Sequence, residues 1–303
     1  MLDRIYLDNH ATTRIDPRVL DAMMPFFKEK YGNPSSTHLF GVEALNAVEK
    51  ARSLISEAIG AKKDEIIFTS GATEANNLAI QGIIEWIRYN KKHQSIHIIT
   101  SVVEHKCVLN TVKKLQLEGI EVTLLPVDSY GAIDLNLLKK EIKSNTALVS
   151  LMFANNEIGT INNIMDIGLI CKSKNIIFHT DIAQAFGKIH MNFKNLPIGL
   201  ASFSAHKLYG PKGVGFLYVK QELKGMMLPL LSGGGQEYNL RSGTLNVPSI
   251  IGMAECIRLS IECFEEDLKK YLKLRYILYS RLFSQLDNVV LNGPDITSGE
   301  EFF

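Results

Sequence analysis

The sequence predicts an α/β protein, with a largely parallel sheet covered by helices on both faces and the start of a smaller C-terminal unit. Three observations predict it. Short, continuously apolar runs recur along the first two thirds of the chain, as in strands buried on both faces. Helical apolar periodicity fills the intervals, which is the alternation of a parallel sheet. Just after Pro248 the composition shifts to a long charged helical stretch, marking an exit from the first unit.

The strand runs are Ile66–Phe68, His97–Ile99, Val122–Leu125, Ala147–Met152, Ile176–Phe178 and Gly213–Val219, with Leu200–Phe203 as a further short apolar segment. A first helix is expected over Ala44–Ile59, opened after Gly41 and stopped by Gly60. A second runs from Glu74 to Tyr89, with Ala75, Leu78, Ala79, Ile83 and Trp86 on one face. A third runs from Lys106 to Glu118 on Val108, Leu109, Val112 and Leu115. Residues 250–286 read as one long helix, Val289–Leu291 as a strand and Asn292–Asp295 as a turn. The expected division is a leading segment 1–15 packed on the small domain, a large domain 16–249, and a connecting helix with an incomplete small α+β domain over 250–303.

Composition narrows the class. Hydrophobic residues make 46% and charged residues 21%, ordinary for a soluble enzyme. The balance of 33 basic against 32 acidic residues argues for no nucleic-acid partner. No run reaches the ~18–20 apolar residues of a membrane span, and Met1-Leu2-Asp3-Arg4 opens no signal peptide. A cytoplasmic location is expected. Cys107, Cys171, Cys256 and Cys263 form no CxxC pair and no secreted disulfide pattern, so they read as small internal thiols. No metal is expected, because His97, His105, His179 and His190 lack the partners of a zinc site at suitable spacing.

Several segments carry chemistry. Ser70-Gly71-Ala72-Thr73-Glu74 follows a strand and opens a helix, so its first-turn N–H groups and Thr73 hydroxyl can cup a phosphate. The same segment also serves as an ordinary capped turn. Asp181 follows the Ile176–Phe178 run, where ligands gather in parallel sheets, and could pair with a protonated ring nitrogen. Lys207 follows the next short strand, and a lysine amine can condense with an aldehyde. Alone it would read as a surface lysine; Asp181 and the phosphate cup lift it. Ser204 and His206 beside it suit a phosphate. His105 could stack on a flat ring or exchange protons, or simply cap a helix. Asn156 and Gln184 could bond a substrate carboxylate or a ring hydroxyl, and otherwise are turn residues. Gly233-Gly234-Gly235 leads to Arg241 and Thr244, which are suited to anions.

Assembled, these residues resemble cysteine desulfurases of the NifS/IscS type, pyridoxal-phosphate enzymes of the class V aminotransferase group. The resemblance runs through Tyr6–Thr13, Tyr31–Ser36, Ser70–Asn77, Glu104-His105, Asn155–Gly159, His179–Gln184, Ser204–Gly213 and Arg241–Thr244. It implies the type I pyridoxal-phosphate fold, with a mostly parallel seven-stranded large domain and a small C-terminal domain. It further implies that Lys207 carries the pyridoxal phosphate, that Asp181 partners the pyridine nitrogen, and that His105 stacks on the ring and helps move protons. Gln184 would approach the ring hydroxyl. Ala72, Thr73, Ser204 and His206 would bind the phosphate, with Thr244 reaching from the second subunit of a homodimer, and Asn156 would help hold the carboxylate of L-cysteine. The family reaction yields L-alanine and passes sulfur, as a cysteine persulfide, toward an iron–sulfur scaffold or another acceptor.

The resemblance places the persulfide-forming cysteine and a substrate-binding arginine past residue 303, so these 303 residues alone are expected to bind cofactor without useful turnover. Tyr238-Asn239 stands where relatives commonly have an arginine and then a glycine. The alternatives are a non-catalytic cofactor-binding or interaction protein, and another pyridoxal-phosphate enzyme such as a selenocysteine lyase or an aminotransferase.

Overall fold

The computed structural model describes residues 4–90 and 95–296; the expectations placed on Met1–Asp3 and on segment 297–303 lie outside the described residues. Seven strands form one sheet: β1 Ile66–Thr69, β2 His97–Ser101, β3 Glu121–Leu125, β4 Thr146–Ser150, β5 Ile177–Asp181, β6 Leu200–Ser204 and β7 Gly215–Val219. Their order is β1-β7-β6-β5-β4-β2-β3. β2 to β6 pair in parallel, while β7 runs antiparallel between β6 and β1. The sheet is therefore mostly parallel, as the apolar runs imply, with a single reversed strand that they do not reveal.

The pleat divides the strand residues between two cores. Phe68, Ile99, Val149, Phe178, Phe203 and Phe216 join one cluster, and Ile67, Ile98, Leu148, Leu200 and Leu217 join the other. The first is covered by helices α1 (Pro17–Met23), α3 (Leu39–Ile59), α7 (Ile164–Ser173) and α8 (Val247–Glu262). The second lies under α4 (Ala72–Asn90) and α5 (Lys106–Leu117). Short α2 (Pro25–Lys28) and α6 (Leu135–Glu141) complete the large unit.

Three sequence expectations are corrected. Helix α3 begins at Leu39, five residues before Ala44, because the His38 ring accepts from the Gly41 N–H and caps the helix there. The stretch 250–286 is two helices, α8 and α9 (Phe264–Gln285), joined at Cys263. Helix α8 buries Ile250, Met253 and Ile257 in the first core, whereas no side chain of α9 is buried. Val289–Leu291 is not a strand. A lone apolar triplet has no ladder partner here, and Val290 is 80% exposed. No helix among the described residues is long and apolar enough to cross a membrane.

Candidate active site

At the carboxyl edge of the sheet the ends of β1, β5 and β6 open into a cavity of about 1140 Å³. This is where ligands collect in open parallel sheets. Ala72, Thr73, His105, Asn156, Asp181, Gln184, Ser204, His206 and Lys207 all line it. Of the residues expected from the sequence, Arg241 and Thr244 do not line it: Arg241 is paired with Glu74 and Thr244 is exposed.

Gly71, Ala72 and Thr73 form the first turn of α4, a 19-residue helix whose leading N–H groups lack intrahelical partners. Two glycines permit this arrangement. Gly71 has φ +141°, which a side chain would strain. A Cβ on Gly215 would lie 2.2 Å from the Phe203 carbonyl oxygen and 2.8 Å from Gly71 Cα, so a bare backbone is required where β7 meets the helix opening. Glu74, although in the same turn, is turned to Arg241 Nε at 2.8 Å and the Ser70 N–H at 2.7 Å. Burial pushes its carboxyl up, yet these partners outweigh it and hold the group below its ordinary range. The cup is thus left net attractive to an anion, with Ser204 and His206 at its opposite wall.

Asp181 ends β5 and is buried. Its oxygens accept from Asn76 Nδ2 at 2.7 Å and from the Ala183 N–H at 2.9 Å. Burial raises its carboxyl above the ordinary range, against those two hydrogen bonds. Behind it on the same face, His179 bridges Ser150 and Ser202 at 2.8 and 3.0 Å, and burial drives this imidazole down to about 3, so it is neutral.

Lys207 lies in the 3₁₀ turn Ala205–Lys207 directly after β6. Its Nζ donates to the carbonyl oxygens of His10 and, at 2.9 Å, Ala11. Gln184 Nε2 also donates to the His10 carbonyl, at 3.1 Å. Burial lowers the Lys207 ammonium below its ordinary range, opposed by Asp181, Asp8 and Glu157. The leading segment is fastened there by the Thr13 N–H on the His206 carbonyl at 3.0 Å and by Thr12 Oγ1 against His206 Nδ1 at 3.1 Å. Asn156 sits in the turn after β4, its amide donating to Glu157 Oε1 at 2.8 Å.

His105 caps α5 and also lines the cavity. Its Nδ1 lies 2.9 Å from Cys107 Sγ. Glu104 before it is buried, with Oε1 accepting from Ser101 Oγ and the Met152 N–H, both at 2.9 Å, and Oε2 without a partner among the described residues. Burial pushes Glu104 up to about 8. The reading of single residues missed Asn76, Cys107 and the carbonyls of His10 and Ala11. Only Asn76 left a signal, as a polar residue within the apolar face that Ala75 and Ala79 define on α4. No cluster of histidine, cysteine and carboxylate groups suited to a metal occurs among the described residues.

The donor set fits pyridoxal phosphate. A buried carboxylate bonded to two neutral donors would gain from a protonated ring nitrogen, a half-buried amine stands ready for an aldehyde, and an anion cup closes the third corner. The profile of the family described as Aminotransferase class-V matches residues 5–300, and the chain belongs to that family. Within it, the chain is 50% identical over 292 residues to the cysteine desulfurase IscS of Rickettsia prowazekii (strain Madrid E), covering 95% of this chain and 70% of that one. It is 49% identical over 301 residues to the mitosomal cysteine desulfurase of Trachipleistophora hominis, covering 99% and 68%. A solved NifS-like protein superposes with a TM-score of 0.89 at 44% identity, covering 93% and 76%.

Proposed function

We propose that this protein is a pyridoxal-phosphate-dependent cysteine desulfurase that converts L-cysteine to L-alanine and delivers the sulfur to a thiol as a persulfide. The observation that carries it is the convergence of Lys207, Asp181 and the opening of α4 on one cavity. When bound, the cofactor supplies an electron sink for negative charge at the substrate Cα. The rest is the work of the side chains. Ala72, Thr73, Ser204 and His206 hold the phosphate. Asp181 keeps the ring nitrogen protonated, and Gln184 meets the ring hydroxyl. Lys207 would hold the aldehyde carbon, its lowered pKa enlarging the unprotonated fraction, and the same amine would hold a proton at the substrate Cα. His105 would offer its imidazole to the ring for proton exchange, while Asn156 would orient the carboxylate.

In the balance of the reaction the cysteine C–S bond breaks, an S–S bond forms on the acceptor thiol, and Cβ gains a proton. Cys107, Cys171 and Cys256 are unsuited as that acceptor, because burial pushes each thiol up, the first to about 11 and the second to about 12. Thr244, exposed and off this cavity, is proposed to serve the cavity of a second copy in a homodimer. The sulfur is proposed to pass to an iron–sulfur scaffold or another acceptor protein.

The test is to load the protein with pyridoxal phosphate, reduce it with borohydride and map the adduct by mass spectrometry, then add L-cysteine with an excess of a dithiol and measure alanine. An adduct at Lys207 and alanine formation above that of free cofactor are expected. An adduct spread over surface lysines would overturn the proposal.

A further inference from the structure

Asp181 ends β5 and His105 caps α5, yet a continuous chain of polar atoms joins them. Asn76, fully buried on α4, directs Nδ2 to Asp181 Oδ2 at 2.7 Å and to Cys107 Sγ at 3.1 Å. Cys107 Sγ in turn lies 2.9 Å from His105 Nδ1. We infer that Asn76 and Cys107 are positioning residues that set the carboxylate at the ring nitrogen and the imidazole at the ring face as one unit. The inference rests on the cofactor reading above and assigns it two residues beyond those that touch the ring.

Donor accounting fixes the direction of the chain. An amide has two N–H groups, and both are spent, one on the carboxylate and one on the sulfur. Reversing the amide would set its oxygen against the Asp181 carboxylate. The orientation holds even though Asn76 Oδ1 is buried with no partner among the described residues. The sulfur then accepts from Asn76 and can donate its own proton to His105 Nδ1. Burial supports this, since it keeps the thiol protonated at neutral pH. His105 Nδ1 also accepts from the Cys107 backbone N–H at 3.2 Å. With both donors aimed at Nδ1, the ring proton belongs on Nε2.

The flanking bonds stiffen the unit. Thr111 Oγ1 donates to the Cys107 carbonyl at 2.7 Å and contacts Asn77 Oδ1 at 2.8 Å, tying the first turn of α5 to α4. The chain accounts for a cysteine in the cavity wall that is no nucleophile: it acts as a hydrogen-bond relay.

The experiment compares the wild type, Cys107→Ser, Cys107→Ala, Asn76→Ala and the double Ala variant. Side-chain ¹⁵N NMR of the cofactor-free protein reads the His105 tautomer directly. The wild type and Cys107→Ser, which keep a side-chain donor, are expected to show Nε2–H, while Cys107→Ala, left with the 3.2 Å backbone donor alone, holds the same tautomer less completely. Pyridoxal-phosphate affinity is expected to fall about 2- to 10-fold in each Ala variant, the range for one lost hydrogen bond. The double variant should lose less than the product of the two, because both cut one chain. An Nδ1–H tautomer in the wild type, or strictly multiplicative losses in folded variants, would overturn the inference. A wild type that shows the Nε2–H tautomer but binds no cofactor would sink the functional reading and leave the relay standing.

Discussion

Arg52 and Glu237 form a buried ion pair, Nη2 to Oε1 at 2.6 Å, with side chains 3% and 1% exposed. The pair closes the outer edge of the sheet. Arg52 Nη1 donates to the Ile66 carbonyl at 2.6 Å, and Glu237 Oε2 accepts from the Phe68 N–H at 2.6 Å. These are the groups that edge strand β1 would otherwise leave open. The guanidinium also lies 4.4 Å from the Phe68 ring centroid. Glu237, Tyr238 and Asn239 all take positive φ, 51°, 59° and 66°, so the pair also holds an unfavourable backbone turn. Tyr238 receives Lys224 Nζ at 4.0 Å from its ring centroid.

Glu237→Ala should therefore destabilise the fold by about 3–5 kcal/mol, since it strands a buried guanidinium and frees the Phe68 N–H. Urea unfolding measures this. Replacing both partners with apolar residues of similar volume is expected to cost less than the single change.

Gly215→Ala tests the opening of the phosphate cup. The added Cβ would press on the Phe203 carbonyl and Gly71, so a loss of about 1–3 kcal/mol is expected, as in overpacked cores. Isothermal titration should show pyridoxal phosphate binding weakened as well, because the displaced element is the cup itself.

Glu104 gives stability a pH dependence of definite sign. Its carboxyl is raised from 4.5 to about 8 in the folded protein, so between those values the native state binds more protons than the unfolded chain. Stability from this group is full below about 4.5, declines as pH rises, and is lost above about 8. His179, lowered to about 3, acts in the opposite sense at acid pH. The wild-type-minus-Glu104→Gln difference isolates the effect. It should move against the wild type by a few kcal/mol, in order of magnitude, from pH 5 to pH 8 in denaturant titrations.

Lys207→Ala should abolish the borohydride-stable adduct and slow exchange of the L-cysteine Cα proton for deuterium by about 10²–10⁴-fold, the usual range for a group that moves a proton at the reacting centre. Noncovalent binding through the α4 cup should persist, detected as quenched protein fluorescence on titration with the cofactor.

Much of this was legible in the residues. Apolar runs located every strand, because strands covered on both faces need little polar alternation, although Asp181 proved to be the last residue of β5 and not a point beyond it. The local motifs carried Ala72, Thr73, Ser204, His206 and Lys207 because a helix opening or a post-strand turn is written in consecutive residues. Contacts that close over long separations were not legible. The reversal of β7, the Arg52–Glu237 pair 185 residues apart, and the Asn76–Asp181 bond across 105 residues leave no local period. The break at Cys263 was hidden because both flanking helices are apolar enough to read as one. Only packing shows that α8 is buried and α9 is not.

The place of β7 has a consequence for the order of assembly. Among the described residues strand β1 pairs with β7 alone, and Ser204 and His206 line the same cavity as Ser70–Thr73. During synthesis β1 therefore emerges long before its only ladder partner, and its backbone must wait for residues 215–219. The motif that first marks the cofactor in the sequence is thus among the last parts of the site to become a surface, and premature pairing of β1 is a hazard the chain must avoid as it grows.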